Sequence, residues 1–269
     1  LDAAEAATLH DAAGKSLYEV LEQLGFPVQD FDLVKKKPGD VFAAVELHID
    51  QTGVLERAGK TVGIVKTICA PTVLEVEVIG RQSHAGGTSM EERRDAYMAA
   101  CELALVLENL GRHSDSEYTT VTVGKVEVIP NAVNVIPGKV VFSVDIRDCD
   151  YDKKNELVVK FRQAVSKVES KRGVAVTIKM VNNDHPMGCS PKITQLIEKN
   201  CCQQDVPYMY TISGAFHDSM LVGDFAPVAM IFVPSHDGIS HSPQEWTDFD
   251  DLAAGTDVLT GTLVALANA

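Results

Sequence analysis

The sequence predicts an α/β fold that is interrupted by an inserted α+β domain. Residues 41–49 and Val228–Val233 are almost wholly apolar, which is typical of strands buried on both faces. Between them, residues 71–182 follow the order β-α-β-β-α-β, and each strand there has one polar face. That pattern is typical of an antiparallel sheet covered by helices on one side. A long helix near the C-terminus then returns to the α/β pattern.

The first segment, residues 1–70, contains a helix and the first apolar strand. Ser16 and Glu19 have the spacing of a capping box, and apolar residues then recur at helical spacing until Gly25. Lysines followed by Pro38 and Gly39 predict a turn before the strand. We therefore expect this segment to supply one part of an α/β domain.

The second segment, residues 71–182, alternates strands and helices. Apolar and polar residues alternate at 74–78, 140–146 and 174–180, and the alternation of residues 119–128 shifts at Gly124. Ser89 and Glu92 form a second capping-box pattern, which predicts the start of a helix with an apolar stripe. A further helix is predicted over residues 157–168. We expect the segment to fold as a separate domain.

The third segment, residues 183–269, resumes the α/β pattern. A helix is predicted over residues 193–202, and Thr247 and Asp250 introduce a long C-terminal helix after the strand Val228–Val233. We interpret residues 1–70 and 183–269 as two parts of one α/β domain, with residues 71–182 inserted between them.

The charge balance excludes several classes of function. The 269 residues include 24 Lys and Arg against 38 Asp and Glu, which gives a formal net charge of −14. So acidic a chain is unsuited to non-specific binding of a nucleic-acid backbone. No apolar run is long enough to cross a bilayer, and no segment has the pattern of a secretory signal. We therefore expect a cytoplasmic protein, with neither nucleic acid nor a membrane as its partner.

The six cysteines are scattered along the chain, and none belongs to a C-x-x-C pair. In a chain of this size, that spacing predicts buried free thiols in a reducing compartment rather than a disulfide framework. The adjacent Cys201 and Cys202 are redox-active thiols in one interpretation and helix-packing residues in the other, which the spacing favours.

Two histidines follow apolar strands. His48 lies near the end of the first strand, where strand parity places it on one face with Glu46 and Asp50. His241 lies in the loop after Val228–Val233. Ligands gather beyond the carboxyl ends of strands in open α/β sheets, and imidazole is a common metal ligand. Both histidines are therefore candidate metal ligands, and ordinary polar loop residues are the alternative.

The inserted segment carries three further candidates. His84 lies in a glycine-rich turn, where the backbone could approach a ligand closely. An ordinary glycine-rich turn that merely carries a histidine is the alternative. Arg147 lies on the polar face of its strand and could bind a carboxylate through two hydrogen bonds. A surface ion pair with Asp145 or Asp148 is the alternative for Arg147, and turn formation is the alternative for Asn134.

Residues 213–219 place one histidine, His217, beside an aspartate and between two serines. This inventory is compatible with a Ser/His/Asp hydrolase. However, sequence neighbours rarely form such a triad, and the chain has no G-x-S-x-G motif. We therefore do not favour a serine hydrolase.

The motifs together resemble one family of enzymes. In chain order they are ELHIDQ at 46–51, SHAG at 83–86, RRDA at 93–96, NAVNVIPG at 131–138, DIR at 145–147, SGA at 213–215 with HD at 217–218, and IFVPS through SHSP at 231–243. Their order and spacing resemble the N-carbamoyl-L-amino-acid amidohydrolases and their allantoate, ureidoglycolate and β-ureidopropionase relatives. These belong to the aminoacylase-like dinuclear metallohydrolases.

The resemblance implies a homodimer with a catalytic α/β domain and an inserted lid domain that dimerises. It implies two divalent metal ions, zinc or manganese, and hydrolysis of a linear amide or ureido C–N bond in a small carboxylate substrate. By motif match, His48 and His241 resemble one ligand of each ion. His84 resembles the lid histidine that polarises the scissile carbonyl in the partner's active site.

The remaining matches concern substrate binding. Asn134 and Arg147 resemble the lid residues that hold the substrate carboxylate. Gln51, Gly214 and His217 match positions that line the site. The resemblance thus assigns this group of residues to the substrate rather than to the metal ions.

The sequence departs from the family at single positions and in a missing segment. Asp50 stands where glutamate is usual, and Phe216 stands where the carbamoylase and allantoate branches have glycine. The family's H-x-D segment, bridging aspartate and Glu-Glu pair have no counterpart after Leu1, so the catalytic α/β domain is expected to be incomplete. We therefore expect a part of an amidohydrolase that is inactive alone and that binds the two metal ions weakly or not at all. A non-catalytic dimerisation module is the alternative.

Overall fold

The computed structural model describes residues 3–269, which divide into two compact units. The smaller unit comprises residues 3–43 and 224–226. It contains helices α1 (Ala3–Thr8) and α2 (Leu17–Gln23) and a 3₁₀ turn at Val28–Val34. The capping box predicted for α2 is confirmed, because Ser16 Oγ accepts a hydrogen bond from the Glu19 amide while the Glu19 carboxylate accepts one from the Ser16 amide.

The larger unit comprises residues 44–223 and 227–269. Its strands are β1 (Ala44–Ile49), β2 (Val62–Ile68), β3 (Ala70–Ile79), β4 (Ser83–His84), β5 (Thr120–Thr122), β6 (Val126–Ile129), β7 (Val135–Ile136), β8 (Lys139–Asp148), β9 (Ala175–Asn183), β10 (Met187–Gly188), β11 (Tyr208–Ser213) and β12 (Val228–Val233). Its helices are α3 (Val54–Ala58), α4 (Ala96–Arg112), α5 (Tyr151–Arg172), α6 (Pro191–Gln203), α7 (Ser219–Val222) and α8 (Phe249–Ala267), with 3₁₀ turns at Met90–Glu92 and His236–Gly238.

The first sheet of this unit is mixed. Its strand order is β1-β12-β2-β10, and β11 also pairs with β2. β1 runs parallel to β12 and β11 runs parallel to β2, whereas β12 and β10 run antiparallel to β2. The burial on both faces predicted from the apolar runs is confirmed for β12. It is wrong for β1, which is half-buried because it forms the end of the sheet within residues 3–269.

The second sheet is antiparallel and lies within residues 70–183. Its strand order is β5-β8-β3-β9, and β6 also pairs with β8, so the break predicted at Gly124 is confirmed. Helices α4 and α5 pack on it, and their shared core includes the buried rings of Phe142 and Phe161. The chain passes from the first sheet to the second through residues 69–71, the first crossover, and returns through residues 184–186, the second crossover.

One predicted helix start is wrong. Met90–Glu92 form a separate 3₁₀ turn, and α4 begins only at Ala96. Asp95 caps α4, because its carboxylate accepts hydrogen bonds from the amides of Tyr97 and Met98. The hydroxyl of Ser89 instead donates to the Glu92 carboxylate. The extended backbone of Arg93 separates the two elements, so the capping-box spacing serves the turn rather than the helix.

The expectation that all six cysteines are free thiols is also wrong. Cys69, in the first crossover, forms a disulfide with Cys149, which directly follows β8. The two residues face each other where β3 and β8 begin and end their antiparallel pairing, so their Cα atoms lie 4.2 Å apart. The thiols of Cys101, Cys189, Cys201 and Cys202 are free. A reducing compartment, which rested on six free thiols, stays a prediction.

The structure is a mixed α/β fold with several sheets. Within residues 3–269, the helices are all too short or too polar to span a membrane. The predicted domain boundaries after residues 70 and 182 and the role of the second sheet as a lid stay predictions.

Candidate functional site

Three potential metal ligands meet beside the first sheet. Glu46 and His48 lie on the same face of β1, as strand parity predicted, and His217 lies in the loop between β11 and α7. The side chains each offer one ligand atom, and these atoms lie within 4.8 Å of one another. Among residues 3–269 this is the one such group of three. We call it the Glu46 cluster.

The two imidazole rings of the cluster pack against each other and against the sheet. The ring centroids of His48 and His217 are 4.6 Å apart in an edge-to-face arrangement. Both rings lie near Phe232 of β12, which is the register partner of His48. Nδ1 of His48 lies 3.0 Å from the Ile49 carbonyl oxygen and therefore carries the proton. Nε2 of His48 is thus left with a free lone pair, as a metal ligand requires.

The carboxylate of Glu46 is held in its ionised form. Nδ1 of His217 lies 3.7 Å from Oε1, and the hydroxyl and amide of Ser219 donate to Oε2 at 2.5 and 3.1 Å. Interaction with His217 and these hydrogen bonds lower the pKa of Glu46 to about 2, although burial opposes the shift. Glu46 is therefore ionised at neutral pH and offers a negatively charged oxygen to a cation.

His217 is fixed from its other side. It is buried, and its Nε2 lies 2.7 Å from the buried hydroxyl of Ser213, at the end of β11. The Ser213 hydroxyl also forms two hydrogen bonds with the backbone of Ala215. It donates to the Ala215 carbonyl oxygen and accepts from the Ala215 amide. A compact loop thereby sets the orientation of His217.

The donor set fits a divalent cation. One carboxylate oxygen and two imidazole nitrogens are ligand types that zinc and manganese accept. Ionised Glu46 supplies a negative charge and His48 supplies a free lone pair. The cluster therefore has the chemistry of part of a metal site.

Arg147 connects the second sheet to the loop that carries His217. Its Nε and Nη2 donate to the two carboxylate oxygens of Asp145, each at 2.9 Å, and its Nη1 donates to the carbonyl oxygen of Gly214 at 3.2 Å. The Asp145 carboxylate raises the pKa of Arg147, so the guanidinium stays charged. The ion pair with Asp145 is present, which the sequence analysis gave as an alternative to ligand binding. Nη1 of Arg147 still points to the loop that carries His217.

Gln51 and His241 lie around a second loop. The side-chain amide of Gln51 donates to the Ser240 hydroxyl at 2.7 Å. His241 is exposed, has a φ of 55°, and donates its backbone N–H to the Glu245 carboxylate. Among the described residues, the structure thus brings Gln51 to the His241 loop, while His241 does not belong to the Glu46 cluster.

His84 projects from a loop within residues 70–183, and several hydrogen bonds hold this loop in place. Its Nδ1 accepts hydrogen bonds from the amides of Gly86 and Gly87, each at 3.1 Å, so the proton of a neutral ring lies on the exposed Nε2. Arg93 donates to the carbonyls of Ala85 and Thr88. The Asn134 carbonyl accepts from the Ala85 amide, so Asn134 borders the same loop while its exposed side chain faces solvent.

Two residues of the site, Glu46 and Ser219, were not named as site residues from the sequence. Parity placed Glu46 with His48, and this signal identifies it as a ligand candidate. Ser219, the hydroxyl partner of Glu46, carries no such signal because it depends on a contact across 173 residues. Asp50, which shares the parity, instead accepts from the amides of Thr52 and Leu55 and so stabilises the turn into α3.

Known proteins match this chain over most of its length. Residues 13–265 match the model of peptidase family M20/M25/M40. An N-carbamoyl-L-amino acid amidohydrolase of Geobacillus stearothermophilus is 37% identical over 98% of this chain and 64% of its own length. A ureidoglycolate hydrolase of Oryza sativa subsp. japonica is 35% identical over 95% of this chain and 54% of its own length.

A solved structure is similar over the whole chain. The crystal structure of AtUAH in complex with (S)-hydroxyglycine has a TM-score of 0.88 and 34% sequence identity, and the match covers 100% of this chain and 65% of that one. The chain therefore spans less than two thirds of the length of these relatives. With the family model matched over nearly all of its residues, the chain belongs to peptidase family M20/M25/M40.

Proposed function

We propose that this chain belongs to an amidohydrolase that cleaves a linear amide or ureido C–N bond in a small carboxylate substrate. The substrates named for its relatives are N-carbamoyl-L-amino acids, allantoate and ureidoglycolate. The observation that carries the proposal is the Glu46 cluster together with the Arg147 guanidinium, which contacts the loop that carries His217. It combines metal-ligand chemistry with a cation suited to a carboxylate.

We further propose that the protein works with two divalent ions, zinc or manganese. Glu46, His48 and His217 would hold one ion, and His241 would contribute to the second. Such ions polarise a carbonyl oxygen and make water more acidic. This assignment moves His217 from the substrate, where the resemblance placed it, to the metal, because its ring lies within ligand distance of Glu46 and His48.

The remaining residues would bind and orient the substrate. Arg147, held by Asp145, would present Nη1 to the substrate carboxylate, and the contact with the Gly214 carbonyl marks where that nitrogen points. Asn134 and Gln51 would supply further hydrogen bonds. These roles require the substrate to lie between the second sheet and the loop that carries His217.

His84 would act as a hydrogen-bond donor to the carbonyl oxygen. Its Nδ1 is occupied by two backbone amides, so only the exposed Nε2 can donate, and it is free to do so. A donor aimed at developing negative charge lowers the barrier of acyl transfer. We propose that it serves the partner subunit of a homodimer formed by residues 71–182. Exposed apolar side chains near this loop, such as Ile129 and Val133, support a protein contact there.

The 269 residues alone are proposed to be inactive. Residues 3–269 contain one group of three close metal ligands, whereas two-ion catalysis needs more donors. The alternative function, a non-catalytic dimerisation module, is supported by the complete hydrophobic core of the second sheet. The two proposals differ in metal binding, which only the amidohydrolase requires.

Metal binding tests the cluster directly. Titration calorimetry with Mn²⁺ or Zn²⁺ is expected to show a site that is lost in His217→Asn and retained in His113→Asn, which changes an exposed histidine of the second sheet's segment. Equal binding by the two variants, or no binding by the unchanged chain, would contradict the metal assignment.

Turnover tests the reaction. Ammonia release from N-carbamoyl-L-amino acids, allantoate and ureidoglycolate is measured with the longest natural form of the protein, beside the 269-residue chain. Arg147→Lys is expected to raise KM by about tenfold, because lysine lacks the planar guanidinium that binds Asp145 through two nitrogens while a third faces the substrate. The matched control is Arg162→Lys on the exposed face of α5. If the longest form, with metal bound, releases ammonia from none of the three substrates, the proposed activity is wrong.

A further inference from the structure

Lys154, in the first turn of α5, is fully buried, although lysine is among the residues least often buried. Its ammonium donates hydrogen bonds to the main-chain oxygens of Ala70 (3.3 Å), Pro71 (3.2 Å) and Asp184. An ammonium has three N–H donors, and it meets three carbonyl acceptors here. Main-chain groups alone therefore satisfy the buried cation.

The three acceptors lie on the two crossovers between the sheets. Ala70 and Pro71 belong to the first crossover, and Asp184 belongs to the second. The Asp184 amide also donates to the Pro71 carbonyl at 3.1 Å, so that oxygen accepts from both Asp184 and Lys154. One side chain thereby ties together the chain segments through which the first sheet connects to the second.

The charge of Lys154 is not balanced by a close carboxylate. Across residues 3–269, its ammonium forms no ion pair within 4.0 Å. Burial lowers the pKa of Lys154, and the more distant negative charges of Asp184, Asp148 and Asp145 oppose that shift. Burying an unpaired ammonium is costly unless hydrogen bonds compensate. The crossover carbonyls provide that compensation, so removing either side of the contact leaves polar groups unsatisfied.

The crossovers set how the two halves of the proposed site face each other. Glu46 and His48 are carried by the first sheet, and Arg147 is carried by the second. The two sheets meet where Arg147 donates to Gly214. A rotation at the crossovers would move the guanidinium relative to the cluster without disturbing the core of either sheet.

We infer that Lys154 is a positioning residue. Its ammonium clamps the two crossovers and thereby holds the Arg147 guanidinium at a fixed position relative to the Glu46 cluster. The ring of Tyr151, one turn earlier on α5, lies 5.4 Å from the ammonium and stacks on His185 of the second crossover at 3.7 Å, which adds a second contact between this helix and the clamp. The consequence for catalysis rests on the proposed function, whereas the clamp itself does not.

Hydrogen exchange tests the clamp independently of any activity. In Lys154→Met, which keeps the apolar stem but removes the donors, the crossover amides of Cys69 and Asp184 are expected to exchange about tenfold faster or more. Amides in the two cores, such as those of Ile64 and Phe142, are expected to change by less than about twofold. A purely structural role would accelerate exchange throughout the unit, and that result, or unchanged crossover amides, would overturn the inference.

The neighbouring lysine provides a matched control. Lys153 is half-buried and pairs with Asp115 at 3.7 Å, so Lys153→Met removes the same group from the same turn without touching a crossover. Its exchange pattern is expected to match that of the unchanged chain. If Lys154→Met fails to fold, a measurement on the unchanged chain still tests whether the clamp exists. Nitrogen-15 spectra of its lysine ammonium groups are expected to show one signal protected from solvent exchange, and its absence overturns the clamp.

Kinetics test the positioning. In the longest natural form, Lys154→Met is expected to raise KM by about fivefold or more while the Mn²⁺ affinity of the Glu46 cluster is unchanged, and Lys154→Arg is expected to restore part of the loss. An unchanged KM with faster crossover exchange would overturn the positioning role. If the unchanged protein shows no turnover, the proposed function fails, and the exchange and ammonium measurements still decide whether the clamp exists.

Discussion

Removing the disulfide between Cys69 and Cys149 is expected to destabilise the fold substantially. The perturbation is the double variant Cys69→Ala/Cys149→Ala, or the unchanged chain under a reductant. Neither cysteine belongs to the proposed site, so the expected effect is on unfolding. Alanine is the replacement because Cys69 is almost fully buried and a serine hydroxyl there would add an unsatisfied polar group.

The magnitude follows from the closed loop. The two cysteines are separated by 80 residues, for which the chain-entropy model predicts a loss of about 4 to 5 kcal/mol in the free energy of unfolding. Measured values for native disulfides are usually about 2 to 5 kcal/mol. We therefore expect a loss of about 3 kcal/mol. With a urea slope of about 3 kcal/mol/M, the unfolding midpoint falls by about 1 M.

Urea unfolding followed by far-UV circular dichroism measures the change. The reduced chain and the double variant are expected to coincide, and Cys202→Ser, which changes an exposed free thiol, is expected to match the oxidised chain. Thiol titration of the unfolded, unreduced chain is expected to find the four free cysteines. Six reactive thiols, or equal midpoints for the oxidised and fully reduced chains, would refute the reasoning.

Three further predictions concern buried thiols, a helix contact and a helix cap. Burial raises the pKa of Cys189 to about 11 and that of Cys201 to about 12, so both stay protonated in the folded chain while the unfolded chain ionises near pH 9. Their contribution to stability is complete below that pH, and urea titrations are expected to show a loss of roughly 2 kcal/mol between about pH 8 and about pH 10. Gly255→Ala is expected to cost about 1 to 3 kcal/mol in thermal melts, because its Cβ would lie 2.4 Å from a Val233 methyl group. Asp150→Ala is expected to cost about 1 kcal/mol in the same assay, because the carboxylate caps α5.

Each of these has a control. The alkaline loss is expected to shrink in Cys189→Ala/Cys201→Ala, and an unchanged loss would show that other groups cause it. Gly188→Ala, where nothing lies within 4 Å of the added Cβ, is expected to leave the melting temperature nearly unchanged. A shift as large as that of Gly255→Ala would contradict the packing argument. Asp152→Ala, two residues later in the first turn of α5, is expected to cost less than Asp150→Ala.

Local pattern accounts for the parts of the fold that could be predicted. Alternation located the strands of the second sheet, and its shift at Gly124 located the break between β5 and β6. Capping chemistry located the start of α2, where the side chains of Ser16 and Glu19 each accept a hydrogen bond from the other's amide. It failed at Ser89, because the spacing alone does not show that the backbone of Arg93 becomes extended before α4 begins.

Long-range contacts account for what could not be predicted. Parity placed Glu46 and His48 on one face, but their meeting with His217 depends on β11 packing beside β2, which no local pattern encodes. Parity also included Asp50, whose carboxylate turns back to cap its own chain. The pairing of Cys69 with Cys149 likewise depends on the register of β3 against β8.

The pairing of β3 with β9 has a consequence for folding. These strands begin and end the second sheet's segment, so the two crossovers lie side by side once that sheet has formed. For the first sheet, a connection of more than a hundred residues then behaves as a loop of only a few. The closure entropy that opposes joining β2 to β10 falls by about 3 kcal/mol. We therefore expect the inserted segment to fold first, and the strand order of the surrounding sheet to depend on its completion.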